Sequence, residues 1–515
     1  MRRHVRLVSA LLVATMVQVV AAAVPSEAVE PRVPTQFIAK VGTEALGRLP
    51  EQNVWQSAVR GFESSGCSAA SVGKYVRRVF LSPEYAKLGY DNPARAVTLY
   101  RAILNRDPDP AGYTAVLDQL QSGARWSAVV DSMLAWPEFV EQTVPRICGP
   151  EPSYGFGSTA PMAIPTSGTG FAGGTGLELQ LLLDTTPVGG TVWLAQKALV
   201  RVDAPVIVPA GVTLATVGTP GPTRYALQGR LYRASLFAGE VIRIQPGGTV
   251  KSVWVDGQRS VIPRPEVMGG TGIDVNMVGG TLTDSTLIGS SGWTSVQLGT
   301  IDHSVCTAVV ARNLVTAYAS GHDGDFTDGI SSYCDNTLIE HNQVVDTTDV
   351  AIIIFPPNSE GPQRSEVRYN TVLSAGNSGY GAYAADGLFT KVPAPDFTGS
   401  TVHHNLFWTG GRTHFDVGLV VGTRAWFGGR SQSGIGASFT DNTTGTVPAR
   451  VAAGAAVSGM LDVTVLRNTL TVEFAAEASP CPQAVVGASV SAGFASGDIQ
   501  PYTDVLYDSC ITTGY

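Results

Sequence analysis

The stretch from Asn313 to Phe355, NLVTAYASGHDGDFTDGISSYCDNTLIEHNQVVDTTDVAIIIF, carries a cluster of residues able to do chemistry. Two aspartates each open an apolar run, Asp328 in FTDGIS and Asp349 in TTDVAI, and a third, Asp416, does so in HFDVGL. Carboxylates brought close together repel, so one holds its proton to higher pH and becomes an acid while the other stays a base. That pair is what glycosidic bond hydrolysis needs. The plainer reading is that each aspartate caps a turn through nearby backbone amides. An inserted segment, ASGHDGDFTD, places His322, Asp323 and Asp325 beside Asp328. Asp323, Asp325 and Asp328 could offer oxygens to Ca²⁺, although their spacing departs by one residue from the familiar Asp-x-Asp-x-Asp-Gly loop, and a solvated acidic turn competes. Hydrolysis by paired carboxylates requires no cofactor.

Further candidates suit substrate binding rather than bond breaking. Arg412 and His414 in GGRTHFDVG could hold an anionic sugar, or His414 could orient Asp416. Arg424 beside Trp426 in GTRAWFG offers a guanidinium next to an aromatic ring, a common way to hold a sugar face. Between the coils of Asp349 and Asp416 the matching strand could start at Asn377, Tyr380 or Asp386, and Tyr380 is taken as the substrate-binding candidate. His341, His403 and His404 read as outward turn residues.

What positions these groups is a repeat. A polar residue, usually Asn, follows a short strand at 256, 285, 313, 342, 370, 405, 442 and 468, giving steps of 29, 28, 29, 28, 35, 37 and 26 residues. A unit of that length with two or three alternating strands cannot bury its apolar face alone, so the units must stack. Strands paired in parallel from coil to coil make a parallel β-helix, with asparagines laddered through their amides at turns that need the left-handed region. Residues 187–218 read as its start and 461–515 as its closing end. Asp328 and Asp349 then fall on consecutive coils, about 5 Å apart if they follow the strand spacing.

The coil pattern over residues 180–475 resembles the right-handed β-helix superfamily of pectate lyases, polygalacturonases and phage tailspikes. The resemblance implies a groove for polysaccharide along one face. PheThrAspGly (326–329) looks like the polygalacturonase Asn-Thr-Asp-Gly motif, and ThrAsp (348–349) stands where its paired aspartates would be. Thr348 replaces one of those aspartates, GlyTyrGly (379–381) replaces Gly-His-Gly, and no Arg-Ile-Lys follows, which argues against a galacturonic-acid substrate.

Ahead of the repeat, residues 36–148 show helical spacing and an internal duplication. LGRLPEQNVWQSAV from Leu46 matches LNRDPDPAGYTAVL from Leu104, and LSPEY at Leu81 matches AWPEF at Ala135. The second copy resembles the helical domain of unknown function numbered 4214, through Arg106, Asp107, Pro108, Asp109 and Gly112, which implies an accessory or attachment role. Residues 149–176 are rich in Gly, Ser, Thr, Pro and Ala and read as a flexible linker before the β-helix of 177–515. Residues 1–28 carry a basic start, an apolar run and small residues, the marks of a secretory signal peptide. Six cysteines behind an export signal read as disulfides, Cys67 with Cys148, Cys306 with Cys334, and Cys481 with Cys510.

Charged residues make up only 15% of the chain and the net charge is −8, so no basic footprint for nucleic acid exists. The combined expectation is a mainly β, right-handed parallel β-helix solenoid with a small N-terminal all-α domain. It is secreted or attached to the cell surface, has no membrane span after signal cleavage, and binds a polysaccharide or cell-envelope glycan. Glycoside hydrolysis is the preferred activity; a calcium-dependent polysaccharide lyase and a non-catalytic adhesion protein are the alternatives.

Overall fold

The computed structural model describes residues 32–149, 160–262, 272–300, 306–316, 326–356, 362–386, 395–422, 434–458, 460–475 and 499–502. The expected signal peptide, Cys481 and Cys510 lie outside them.

Short β-branched runs bend at polar residues and form coils of three strands. One coil runs Asp328–Ser332, Asn336–Glu340 and Gln343–Val345; the next runs Val350–Ile354, Glu366–Arg368 and Thr371–Ser374. Each strand pairs in parallel with its counterpart one coil on, Ile330 with Ile352, Ile339 with Val367 and Val344 with Val372. The first strands of the coils stack into a ten-stranded sheet, here the first face. The second and third strands form the other two faces. Inward side chains such as Val310, Ile330, Ile352, Val372 and Leu419 fill the tube as one continuous apolar column. Burying each stabilises the coil by roughly 1.5–3 kcal/mol, which an isolated unit could not obtain.

The asparagine ladder is present, with its parts distributed differently from expectation. The left-handed residue at each turn is the one before the marker: Asp284, Arg312, His341, Tyr369, His404, Asp441 and Arg467 all have φ between 53° and 58°. The asparagine itself turns inward and is buried. Asn313 donates from its backbone N–H and its Nδ2 to Asn342 Oδ1, both at 3.0 Å, and Asn342, Asn370, Asn405 and Asn442 repeat the contact with the asparagine of the next coil. The amide thus satisfies a backbone donor at a corner where no ladder bond can reach it. Asp256 is not a rung: it stacks with Ile288, and the rung position on its coil is Val253, whose N–H donates to Ser285 Oγ at 3.1 Å.

The solenoid begins earlier than its composition indicates. Phe171–Thr175, inside the stretch read as a flexible linker, pairs in parallel with Thr191–Val202. The helix Gly176–Thr185 follows, started by a capping box between Thr175 and Glu178, and buries Leu179 and Leu183 over the open end of the tube. Glycine and threonine here are strand and cap residues, a use that composition does not separate from a linker. At the other end Ile499–Tyr502 pairs antiparallel with Val463–Leu466.

The helical segment runs from Thr35 to Ile147, and the duplication is visible in the order of its helices. Thr35–Leu46, Gln52–Ser65 and Ala69–Phe80 correspond to Asn92–Leu99 with its π-turn Tyr100–Leu104, Pro110–Gln121 and Trp126–Leu134. Asp109 caps its helix by accepting from Gly112 N–H at 2.9 Å, with Pro110 in the first turn. The disulfide Cys67–Cys148 ties the two copies together.

These helices lie on the third face of the solenoid. Outward Trp254, Ile288, Leu314, Val345, Leu373 and Trp408, on successive coils, share one apolar cluster with Phe37, Trp55, Leu99 and Tyr100. Asp107 accepts two bonds from Arg230 at 2.9 and 2.8 Å, and both Arg230 and Arg101 lie over the Trp254 ring. Burial alone would raise the Asp107 carboxyl, but the Arg230 and Arg101 guanidiniums overcome it and hold it at about 2. Among the described residues no helix is long and apolar enough to cross a membrane.

Candidate functional site

The first face brings the aspartates together. Asp328 opens the strand Asp328–Ser332, and the pairing of Ile330 with Ile352 sets Asp328 level with Val350 and Asp349 level with Thr327. The two aspartates therefore sit on adjacent strands one residue out of step, which corrects the expectation that they stack directly. The close approach of these strands needs Gly329, because a Cβ there would lie 2.4 Å from Ala351 O. The disulfide Cys306–Cys334 closes this coil just beyond the strand.

Asp328 is 3% exposed. Its Oδ1 accepts from Val350 N–H at 2.9 Å, and its Oδ2 lies 2.6 Å from Ser331 Oγ. Ser331 Oγ is also 3.0 Å from Thr294 Oγ1, and Thr294 donates to Val296 O at 3.1 Å. Ser331 Oγ is the donor to Asp328 Oδ2, and Val350 N–H is the donor to Oδ1. Burial, then the Asp349 charge and more weakly that of Asp386, push the Asp328 carboxyl well above the usual carboxylate range, against the opposing bonds from Ser331 and Val350. Burial and neighbouring negative charge thus favour the neutral form of Asp328.

Around it the outer side of the first face forms its own apolar cluster, Tyr333, Val350, Ile353, Phe355, Ala384 and Val417, flanked by Trp293 and Tyr380. Tyr333 stacks on Phe355 with centroids 4.6 Å apart, and Phe326 lies 5.6 Å from Tyr380. Trp293, Phe326 and Tyr380 remain partly exposed.

Tyr380 stands in the column Thr327, Asp349, Tyr380, Asp416, which resolves the three possible strand positions in its favour. Asp416, 7% exposed, is two coils beyond Asp349, and His414 Nε2 approaches its Oδ1 at 3.6 Å. Arg412 is exposed at the tight turn where Thr413 N–H donates to Gly410 O. His322, Asp323, Asp325, Arg424 and Trp426 lie outside the described residues, so the calcium reading has no geometry to join. His341 and His404 are exposed turn residues as expected, and His403 Nε2 lies 3.0 Å from Glu366 Oε1.

Sequence reading missed three partners. Asp386, buried at the end of Gly379–Asp386, reads in the sequence only as a possible strand start, and its charge acts on Asp328 and Tyr333. Ser331 links Asp328 to Thr294 through its hydroxyl, yet a serine in GISSY has no distinguishing neighbour. Ser378 contacts His414 Nδ1 at 3.1 Å across a gap of 36 residues.

Residues 78–143 match the family described as Domain of unknown function (DUF4214). No curated protein compared with the chain matches it. Of solved structures, the periplasmic alginate epimerase AlgG is similar at 11% identity over 57% of this chain and 72% of that one, with a TM-score of 0.23. Geobacillus virus E2 ORF18 is similar at 10% identity over 59% and 62%, with a TM-score of 0.15. The family match thus falls within the helical segment, and the β-helix rests on the parallel pairing of its own strands.

Proposed function

We propose that the outer side of the first face binds a polysaccharide outside the cytoplasm and hydrolyses its glycosidic bonds, with Asp328 as the acid and Asp349 as the base. The observation that carries this reading is the split between the two carboxyls. Burial and then the neighbouring Asp349 charge push the Asp328 carboxyl upward, while Asp349 is only partly buried. Two neighbouring carboxyls in unlike surroundings, one buried and one partly exposed, are the arrangement that glycoside hydrolysis uses. Partly exposed Trp293, Phe326 and Tyr380 beside them offer flat apolar surfaces for sugar rings. Asp416, beside His414, is a third carboxyl two coils along and suits substrate positioning. The two disulfides fit an oxidising compartment.

The test is digestion of a glycan panel by the wild type beside Asp328→Asn and Asp349→Asn. Reducing ends should appear with the wild type and fall at least about 10²-fold in each variant. Products with 4,5-unsaturation would replace hydrolysis by elimination, and full activity in both variants would remove these aspartates from the chemistry.

A further inference from the structure

A second reactive arrangement lies on the same face, at the start of the strands Gly379–Asp386 and Phe415–Gly422. The pairing of Gly379 with Phe415 sets Ser378 directly level with His414 on the next coil. His414 immediately precedes the strand Phe415–Gly422 and Asp416 is its second residue. Ser378 Oγ lies 3.1 Å from His414 Nδ1 and His414 Nε2 lies 3.6 Å from Asp416 Oδ1.

The hydrogen bonds of this row are compatible with a proton relay. His414 backbone N–H donates to Ser378 Oγ at 3.1 Å, so the serine oxygen is an acceptor there. Its own proton can be donated to Nδ1 at 3.1 Å. A ring that accepts at Nδ1 carries its proton on Nε2, facing the Asp416 carboxylate. Exposure is graded in the sense a nucleophile requires: Ser378 and His414 are partly exposed, and Asp416 is buried. The residue after the serine is Gly379, where a Cβ would come within 2.8 Å of Asp349 O, so no side chain crowds the hydroxyl from that position.

We infer that Ser378, His414 and Asp416 form a nucleophilic relay that hydrolyses acyl esters, Ser378 attacking, His414 moving the proton and Asp416 orienting the ring. Ser378 Oγ bonds to the ester carbonyl carbon as its proton passes to His414 Nδ1. The adduct collapses, the C–O bond to the alcohol breaks, and the leaving alkoxide takes the proton from Nδ1. Water then attacks the acyl carbon, gives a proton to His414, and the carboxylic acid departs as Ser378 recovers its proton. The net change is ester plus water to alcohol plus acid. That the alcohol is a sugar hydroxyl rests on the glycan reading above; ester hydrolysis itself does not. The 3.6 Å contact to Asp416 shortens when positive charge develops on the ring.

The experiment uses two probes that contain no glycosidic bond, so its outcome is separable from that of the hydrolase proposal. A fluorophosphonate should attach covalently to Ser378, located by peptide mass spectrometry of the full chain. Hydrolysis of 4-nitrophenyl acetate should fall at least about 10³-fold in Ser378→Ala and in His414→Gln. Thermal unfolding of each variant checks its fold, and labelling of the wild type decides the matter if a variant does not fold. An unlabelled Ser378, or a folded Ser378→Ala that keeps wild-type ester hydrolysis, overturns the relay.

Discussion

Asp346 gives the sharpest test of how the helical segment and the solenoid are joined. It lies at the turn between the third and first faces, fully buried, with its Oδ1 accepting from Ala375 N–H at 2.6 Å and Gly376 N–H at 2.9 Å, and its Oδ2 accepting from Gln36 Nε2 at 3.3 Å. Burial raises its carboxyl to about 6, against the pull of these amides. An unfolded aspartate titrates near ~3.9. The folded chain therefore holds this proton more tightly, and the proton's contribution to stability is full below pH ~4 and lost as pH climbs through about 6. The difference of roughly two pKa units amounts to ~3 kcal/mol at higher pH. Asp346→Asn removes the charge, keeps an oxygen for the backbone donors, and tolerates the φ of 56° at this position. Its amide can be met by a turned Gln36 side chain. Unfolding followed at a series of pH values should show the variant more stable than wild type by up to ~3 kcal/mol at pH 8, with the gap closing between pH 6 and 4. A gap that does not change with pH, or a variant less stable at pH 8, would refute the reasoning.

Asn342→Ala should cost ~2–5 kcal/mol, because the buried Asn313 N–H and Val310 O both lose a partner; denaturant unfolding measures it, and a cost under ~1 kcal/mol would show the ladder to be incidental. Asp107→Asn leaves Arg101 and Arg230 without their shared carboxylate and should cost ~3–5 kcal/mol. Hydrogen exchange in the helix Asn92–Leu99 reports this loss, and unchanged protection there would mean that the apolar contacts alone hold the module.

The period of the repeat was plain in the sequence because a buried Asn at each coil is a chemical demand repeated many times. The tandem helices were legible for the same reason. What escaped was information that depends on register. Asp328 and Asp349 were found, but their one-residue offset follows from the unequal lengths of the segments between strands, which no local pattern encodes. Asp386 and Ser378 gain their neighbours only once the coil between residues 350 and 415 is threaded. The docking face escaped too: Trp254, Ile288, Val345, Leu373 and Trp408 are single outward apolar residues separated by a whole coil, and nothing nearby marks them as a stripe. Phe171–Thr175 was missed because its glycines serve close strand approach rather than looseness.

The helices laid along the third face also bear on how this chain can change its length. A solenoid whose coils touch only their neighbours can gain or lose a whole turn at little expense, since every interface that remains is unaltered. Here Trp254 meets Arg101 at one end of the contact and Trp408 meets Trp55 at the other, both sets of partners fixed within one helical unit. One added coil between them would carry Trp408 about 4.8 Å past Trp55. The helical unit is thus a gauge for the tube, and insertions of whole turns are expected to be tolerated only beyond the span it measures.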